Sequence, residues 1–81
     1  MPEPSPLPSL IPIQLGRYRH YRGNEYEVIG VARHSETLEE LVIYRALYGD
    51  HGLWVRPRAM FEEIIEVNRQ RVPRFEYVGS R

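Results

Sequence analysis

The chain has 81 residues, 42% of them hydrophobic, with no cysteine and with 11 basic residues balanced by 11 acidic ones. That length gives one domain rather than two, and the missing thiols exclude a disulfide framework, a cysteinyl metal site and a cysteine nucleophile. Every basic residue is an arginine, which excludes a lysine Schiff base, and zero net charge removes the long-range field that gathers a polyanion.

A domain of this size buries only about 60% of its unfolded surface. An enclosed substrate cavity would take much of that core, so size favours a surface-acting module over a self-contained enzyme. No basic stretch followed by an apolar segment opens the chain, and no apolar run nears the roughly 20 residues of a membrane span. A small secreted domain would need disulfides, so a cytoplasmic protein is expected, with no membrane association and no cofactor.

Residues 1–13 hold five of the 7 prolines, four of them alternating at positions 2, 4, 6 and 8. Proline removes backbone donors and fixes φ, so this piece joins neither a helix nor a central strand. It reads as a disordered proline-rich tail, either plain leader sequence or a polyproline ligand for an aromatic groove. Residues 14–81 read as a single small β-barrel domain.

The first element begins near Leu15–Gly16. GRYRHY (16–21) and EYEVIGVARH (25–34) flank the turn Arg22-Gly23-Asn24 and read as a hairpin. With Tyr21 opposite Glu25, Arg19 faces Glu27 and Tyr18 faces Val28. Tyr18, His20, Tyr26 and Val28 then form the inward face; Arg17, Arg19, Glu25 and Glu27 form the outer one. Gly30, in mid-strand, predicts a bend or bulge. After the loop Ser35-Glu36-Thr37 comes a third strand over 39–48, the turn Gly49-Asp50-His51-Gly52, and a short fourth strand, Leu53-Trp54-Val55-Arg56. Pro57 cannot continue a central strand. Residues 58–66 have both helical spacing and strand composition. The favoured reading is a short 3₁₀ turn over 58–61, then strands at 64–67 and 72–78 around Asn68-Arg69-Gln70. The sum is a mostly-β chain: an SH3-like barrel of about five to six antiparallel strands.

The histidines at 20, 34 and 51 match no zinc spacing, and in that register His34 lies roughly 23 Å along the strand from the partner of His20. No metal site is expected, and His20 is expected inward with a hydrogen-bond partner. His34-Ser35-Glu36-Thr37 gathers a base, hydroxyls and a carboxylate, but neighbours on extended chain point to opposite sides, and these are ordinary turn formers. No catalytic residue is assigned. Ala46-Leu47-Tyr48-Gly49-Asp50 is similar to the ALYDY segment of peptide-binding SH3 domains, but its position in the chain order is wrong. Tyrosines, Trp54 and arginines interleave throughout, a composition that serves either a thin aromatic core or a recognition surface.

Several segments in this order resemble the bacterial family known as domain of unknown function 1653. They are Gly16-Arg17-Tyr18-Arg19-His20-Tyr21, Gly23-Asn24-Glu25-Tyr26, Ala32-Arg33-His34-Ser35-Glu36-Thr37, Val42-Ile43-Tyr44 and Leu47-Tyr48-Gly49. Trp54-Val55-Arg56-Pro57, Met60-Phe61 and Pro73-Arg74-Phe75 complete the set. The resemblance spans nearly everything from Gly16 to Val78 and leaves the proline-rich tail outside. It implies a stand-alone small β-barrel and brings no activity, cofactor or catalytic residue with it.

The reading that follows is a cytosolic interaction module binding a peptide or partner protein through an aromatic and arginine surface. Its candidate residues are His34, Glu36, Tyr44, Arg45, Tyr48, Asp50, Trp54 and Arg56. RNA or single-stranded DNA binding is the alternative, disfavoured by the neutral charge, and a small hydrolase-type enzyme ranks third. The oligomeric state is open.

Overall fold

Alternation of β-formers with charged residues produces strands between Gly16 and Gly79, and the computed structural model describes residues 9–80 of the chain. In chain order these are β1 (Gly16–His20), β2 (Glu25–Arg33), β3 (Glu40–Ala46), β4 (Leu53–Pro57), α1 (Arg58–Phe61), β5 (Ile64–Val67), β6 (Gln70–Pro73) and β7 (Phe75–Gly79). Five strands form an antiparallel sheet in the order β4-β3-β2-β1-β7, and β5 pairs with β6 in a separate ribbon. The chain is therefore mostly β with one short helix. Proline-rich residues 1–8 lie outside the described residues.

The first hairpin keeps the expected faces but not the expected register. Arg19 pairs with Glu25, Tyr18 with Tyr26 and Arg17 with Glu27, two residues away from the pairing read in the sequence. The cause is Tyr21, whose N–H donates to the carbonyl of Arg74, while His20 closes the turn by donating to Asn24. A displacement of two leaves every side chain on its original face, so Tyr18 and Val28 still enter the core. Gly30 marks the bulge: the β2–β3 register shifts between Val28 and Gly30 and leaves Ile29 unpaired.

Pro57 ends β4, which is an edge strand, so its missing donor costs no ladder bond. The next four residues form one α-turn rather than the 3₁₀ turn expected, because the N–H of Glu62 reaches back four residues to the carbonyl of Arg58. That turn drives Phe61, 1% exposed, into the core. The expected strand 72–78 is two strands in different sheets. Arg74 breaks it, donating its N–H to Glu63 while its carbonyl accepts from Tyr21. Seven strands result, against five or six expected.

The core is a cluster of Tyr18, Val28, Val42, Tyr44, Phe61 and Phe75, with Ile13, Tyr26, Val31 and Tyr77 packed against it. Phe61 stacks on Phe75 with centroids 4.2 Å apart and planes 6° apart. Among the described pairings no ladder joins β4 to β7, so the sheet is open. Side chains nevertheless cross between its edges, since Arg56 of β4 lies 5.5 Å from the ring centre of Phe75 on β7.

Where the sequence reads as tail up to residue 13, part of that segment is docked. Arg58 donates through Nη1 to the carbonyl of Ile11 at 2.5 Å and through Nη2 to that of Pro12 at 3.0 Å. The Ile11 N–H donates to Glu40, and Tyr18 donates to the carbonyl of Gln14. Prolines cannot supply the N–H groups of a ladder, so side chains read this strap through its carbonyls instead. No helix among the described residues is long and apolar enough to cross a membrane.

Candidate functional site

Antiparallel pairing decides which candidates meet. The C-terminal ends of β1 and β3 lie beside the N-terminal ends of β2, β4 and β7. That end of the sheet gathers His20, Tyr26, Tyr48, Trp54 and Phe75, and Arg56, which pairs with Val42 further along, turns its side chain toward Tyr44 and Phe75. The opposite end holds α1, the docked strap and the His34 loop. Glu40 to Ala46 spans about 20 Å of strand, so His34 and Glu36 stand a domain's width from Tyr48 and Asp50.

The eight candidates therefore divide. His34 serves its own loop: its Nδ1 accepts from the N–H groups of Glu36 and Thr37 at 3.0 and 3.3 Å, closing the turn. Glu36 is exposed on that turn. Arg45 sits on the outer face and donates to the carbonyl of His51 across the β3–β4 turn, where Asp50 is exposed. Tyr44, Tyr48, Trp54 and Arg56 are brought together at the other end.

Their arrangement is layered. Tyr44 is buried, and its hydroxyl accepts from Nε of Arg56 at 3.3 Å. Tyr26 meets the rings of Tyr44, Tyr48 and Phe75 edge-on at 5.3, 5.6 and 5.6 Å. Its hydroxyl lies 2.8 Å from that of Tyr48, and burial followed by this hydrogen bond pushes its pKa up to about 12. The Tyr26 phenol thus stays neutral over the working range. Trp54 is 58% exposed, and the β3–β4 register puts it on the same face as Tyr44 and Arg56. On the reverse face of the same strand, Leu53 and Val55 are also exposed, beside Ile43.

Two participants were not among the sequence candidates. His20 stands edge-on to Phe75 at 4.9 Å and over Tyr21 at 4.5 Å, and its Nδ1 accepts from the N–H of Arg22. Burial, then the charges of Arg56, Arg74 and Arg22, lowers its pKa from the ordinary 6.5 and keeps the ring neutral. Arg74, whose Nη2 holds Glu63 at 2.7 Å, is the second. Inward placement of His20 was readable from alternation; the three arginines around it come from β4 and two separate turns, which no local pattern links. His20 also lines a cavity of about 360 Å³ between the sheet and the β5–β6 ribbon, with Tyr21, Val67, Val72 and Glu76. Among the described residues no three histidine, aspartate or glutamate side chains are grouped to hold a metal ion.

The family model described as protein of unknown function (DUF1653) matches residues 16–77. The chain belongs to the DUF1653 family. It is also similar to a solved structure, that of a DUF1653 protein from Bordetella bronchiseptica, at 37% identity and a TM-score of 0.77. The likeness covers 84% of this chain and 90% of that one. No curated protein matches. The family span begins at Gly16, the first residue of β1, and so excludes the docked strap.

Proposed function

We propose that this DUF1653 domain is a cytoplasmic recognition module that takes an extended segment of a partner protein along β4, at the end of an open, SH3-like half-barrel. The observation that carries this reading is Trp54, 58% exposed on an edge strand between the equally exposed Leu53 and Val55. Burying one face of a strand is the rule; exposing apolar residues on both faces of an edge strand is an aggregation hazard unless a partner covers it. An edge strand also offers unpaired backbone groups to an incoming chain, which supply affinity, while Trp54 and Tyr48 supply the aromatic anchors.

The arrangement of charge favours protein over nucleic acid. Arg17, Arg19, Arg58 and Arg74 each pair with a carboxylate, and the chain carries zero net charge, which leaves only a weak field to follow a phosphate backbone. Among the described residues no hydroxyl nucleophile is hydrogen-bonded to a base, and the reading is binding without turnover.

Selection of peptides from a random display library on the full chain tests it. Binders are expected whose capture is lost in Trp54→Ala and kept in Glu36→Gln at the far end. A library that yields no binder, or binders indifferent to Trp54→Ala, sinks the proposal.

A further inference from the structure

Arg56 is a half-buried cation whose partners are neutral groups. Two residues further on, Arg58 is also half-buried and meets two carboxylates, Glu40 and Glu62. Arg74, enclosed at the same end as Arg56, meets Glu63. Arg56 forms no ion pair with any carboxylate of the described residues. Its Nε donates to a phenol, and its guanidinium carbon lies 5.5 Å from the centre of a phenylalanine ring. Both partners are neutral. Taking a guanidinium partly out of water against neutral groups is unfavourable unless an anion completes the arrangement.

The geometry leaves the right atoms for that anion. Nε is committed to Tyr44, which fixes the plane of the fork and leaves the two terminal nitrogens as a pair of donors. A carboxylate is the planar, two-oxygen group that such a pair receives. Two further arginines stand near His20 at this end, Arg22 and Arg74, the latter held by Glu63. Trp54, two residues before Arg56 on the same face, provides an apolar wall for whatever carries the carboxylate.

We propose that Arg56 is the anchor of a carboxylate-binding subsite, so that the segment docking along β4 presents an acidic side chain or a free C-terminus to it. This rests on the recognition reading above. The two fail separately: Trp54-dependent peptides devoid of carboxylates would leave that reading intact and remove this one.

The test titrates three probes into the isotope-labelled full chain and follows the Trp54 indole and Arg56 Nε–H signals. N-acetyltyrosine offers a terminal carboxylate beside a ring, N-acetyltyrosine amide offers the ring alone, and N-acetylaspartate amide offers a side-chain carboxylate. Saturable shifts are expected from at least one carboxylate probe and not from the neutral amide; which one binds tells a C-terminus from an acidic side chain. Arg56→Lys keeps the charge and the stem but loses the fork, and should weaken binding roughly tenfold. Its fold is checked by the unchanged spectrum of distant amides. Equal binding by the neutral amide, no saturable shift from either carboxylate, or undiminished binding by Arg56→Lys overturns the proposal.

Discussion

Arg56 and Phe75 lie on opposite edges of the five-stranded sheet, yet the guanidinium carbon of one stands 5.5 Å from the ring centre of the other. The sheet thus curls until its edges are joined through side chains, with no ladder between them. A cation over a ring contributes about 0.5–1 kcal/mol in a half-exposed setting. Closure here is weak at its seam and depends on what fills the middle.

What fills it is Phe61. Truncation in Phe61→Ala removes the ring stacked on Phe75 and the edge contact with Tyr18 at 5.4 Å, leaving a hole that the single turn of α1 cannot collapse into. The expected loss is about 3–5 kcal/mol, a large share of the stability of a domain of this size. Urea denaturation followed by circular dichroism checks it; a loss below about 1 kcal/mol would mean that α1 is not part of the core.

The docked strap should come loose in acid. The hydrogen bond from Arg58 holds the Glu40 carboxyl below its ordinary value of 4.5, with the Ile11 N–H adding to the effect. A depressed carboxyl contributes stability that is complete above its unfolded value and is lost as pH falls through the folded one. Protection of the Ile11 amide against hydrogen exchange should therefore disappear below about pH 4 and be absent at neutral pH in Glu40→Gln. Retained protection in that variant would show that the carbonyl contacts of Arg58 suffice alone.

His20 acts in the same direction at a higher pH. Burial and the charges of Arg56, Arg74 and Arg22 lower its pKa, so the unfolded chain binds the proton more readily than the fold does. Stability is then complete above about pH 6.5, declines as pH falls through the folded value and levels off beneath it. His20→Asn, which keeps an acceptor for the Arg22 N–H, should flatten that slope. Denaturation midpoints at pH 7 and pH 5 measure it, and an undiminished difference in the variant would assign the slope elsewhere.

The β5–β6 ribbon turns through Asn68 and Arg69, both with positive φ, at 52° and 67°. Arginine resists that conformation where glycine does not. Arg69→Gly should stabilise the ribbon by about 0.5–1 kcal/mol, seen as slower exchange of the Val67 and Gln70 amides. Faster exchange would show that the freedom gained by the unfolded chain dominates.

Faces, bulge and turns were legible in the sequence because they are local. Tyr18, Tyr26 and Val28 fell on the correct side even with the register displaced by two, since parity alone sets the face. The strand break at Arg74 was not legible, for it depends on backbone bonds to Glu63 and Tyr21 that are distant in sequence. Nor was the docking of Ile11 and Pro12, read by an arginine 47 residues away through groups that every residue type possesses. At the site, Trp54 and Arg56 were readable as residue types suited to recognition, whereas separating them from His34 and Glu36 required the strand directions. His20 was placed inward but not joined to the arginines, which converge only when the sheet curls.

The most direct measurement of the central claim is a backbone and indole chemical-shift map of the full chain titrated with a display-selected peptide. Saturable shifts are expected, confined to Leu53–Pro57, Tyr48 and the Trp54 indole, with new hydrogen-exchange protection along the free side of β4. Shifts centred instead on the His20–Val67 cavity or on the His34–Thr37 loop, with β4 unmoved, would contradict it.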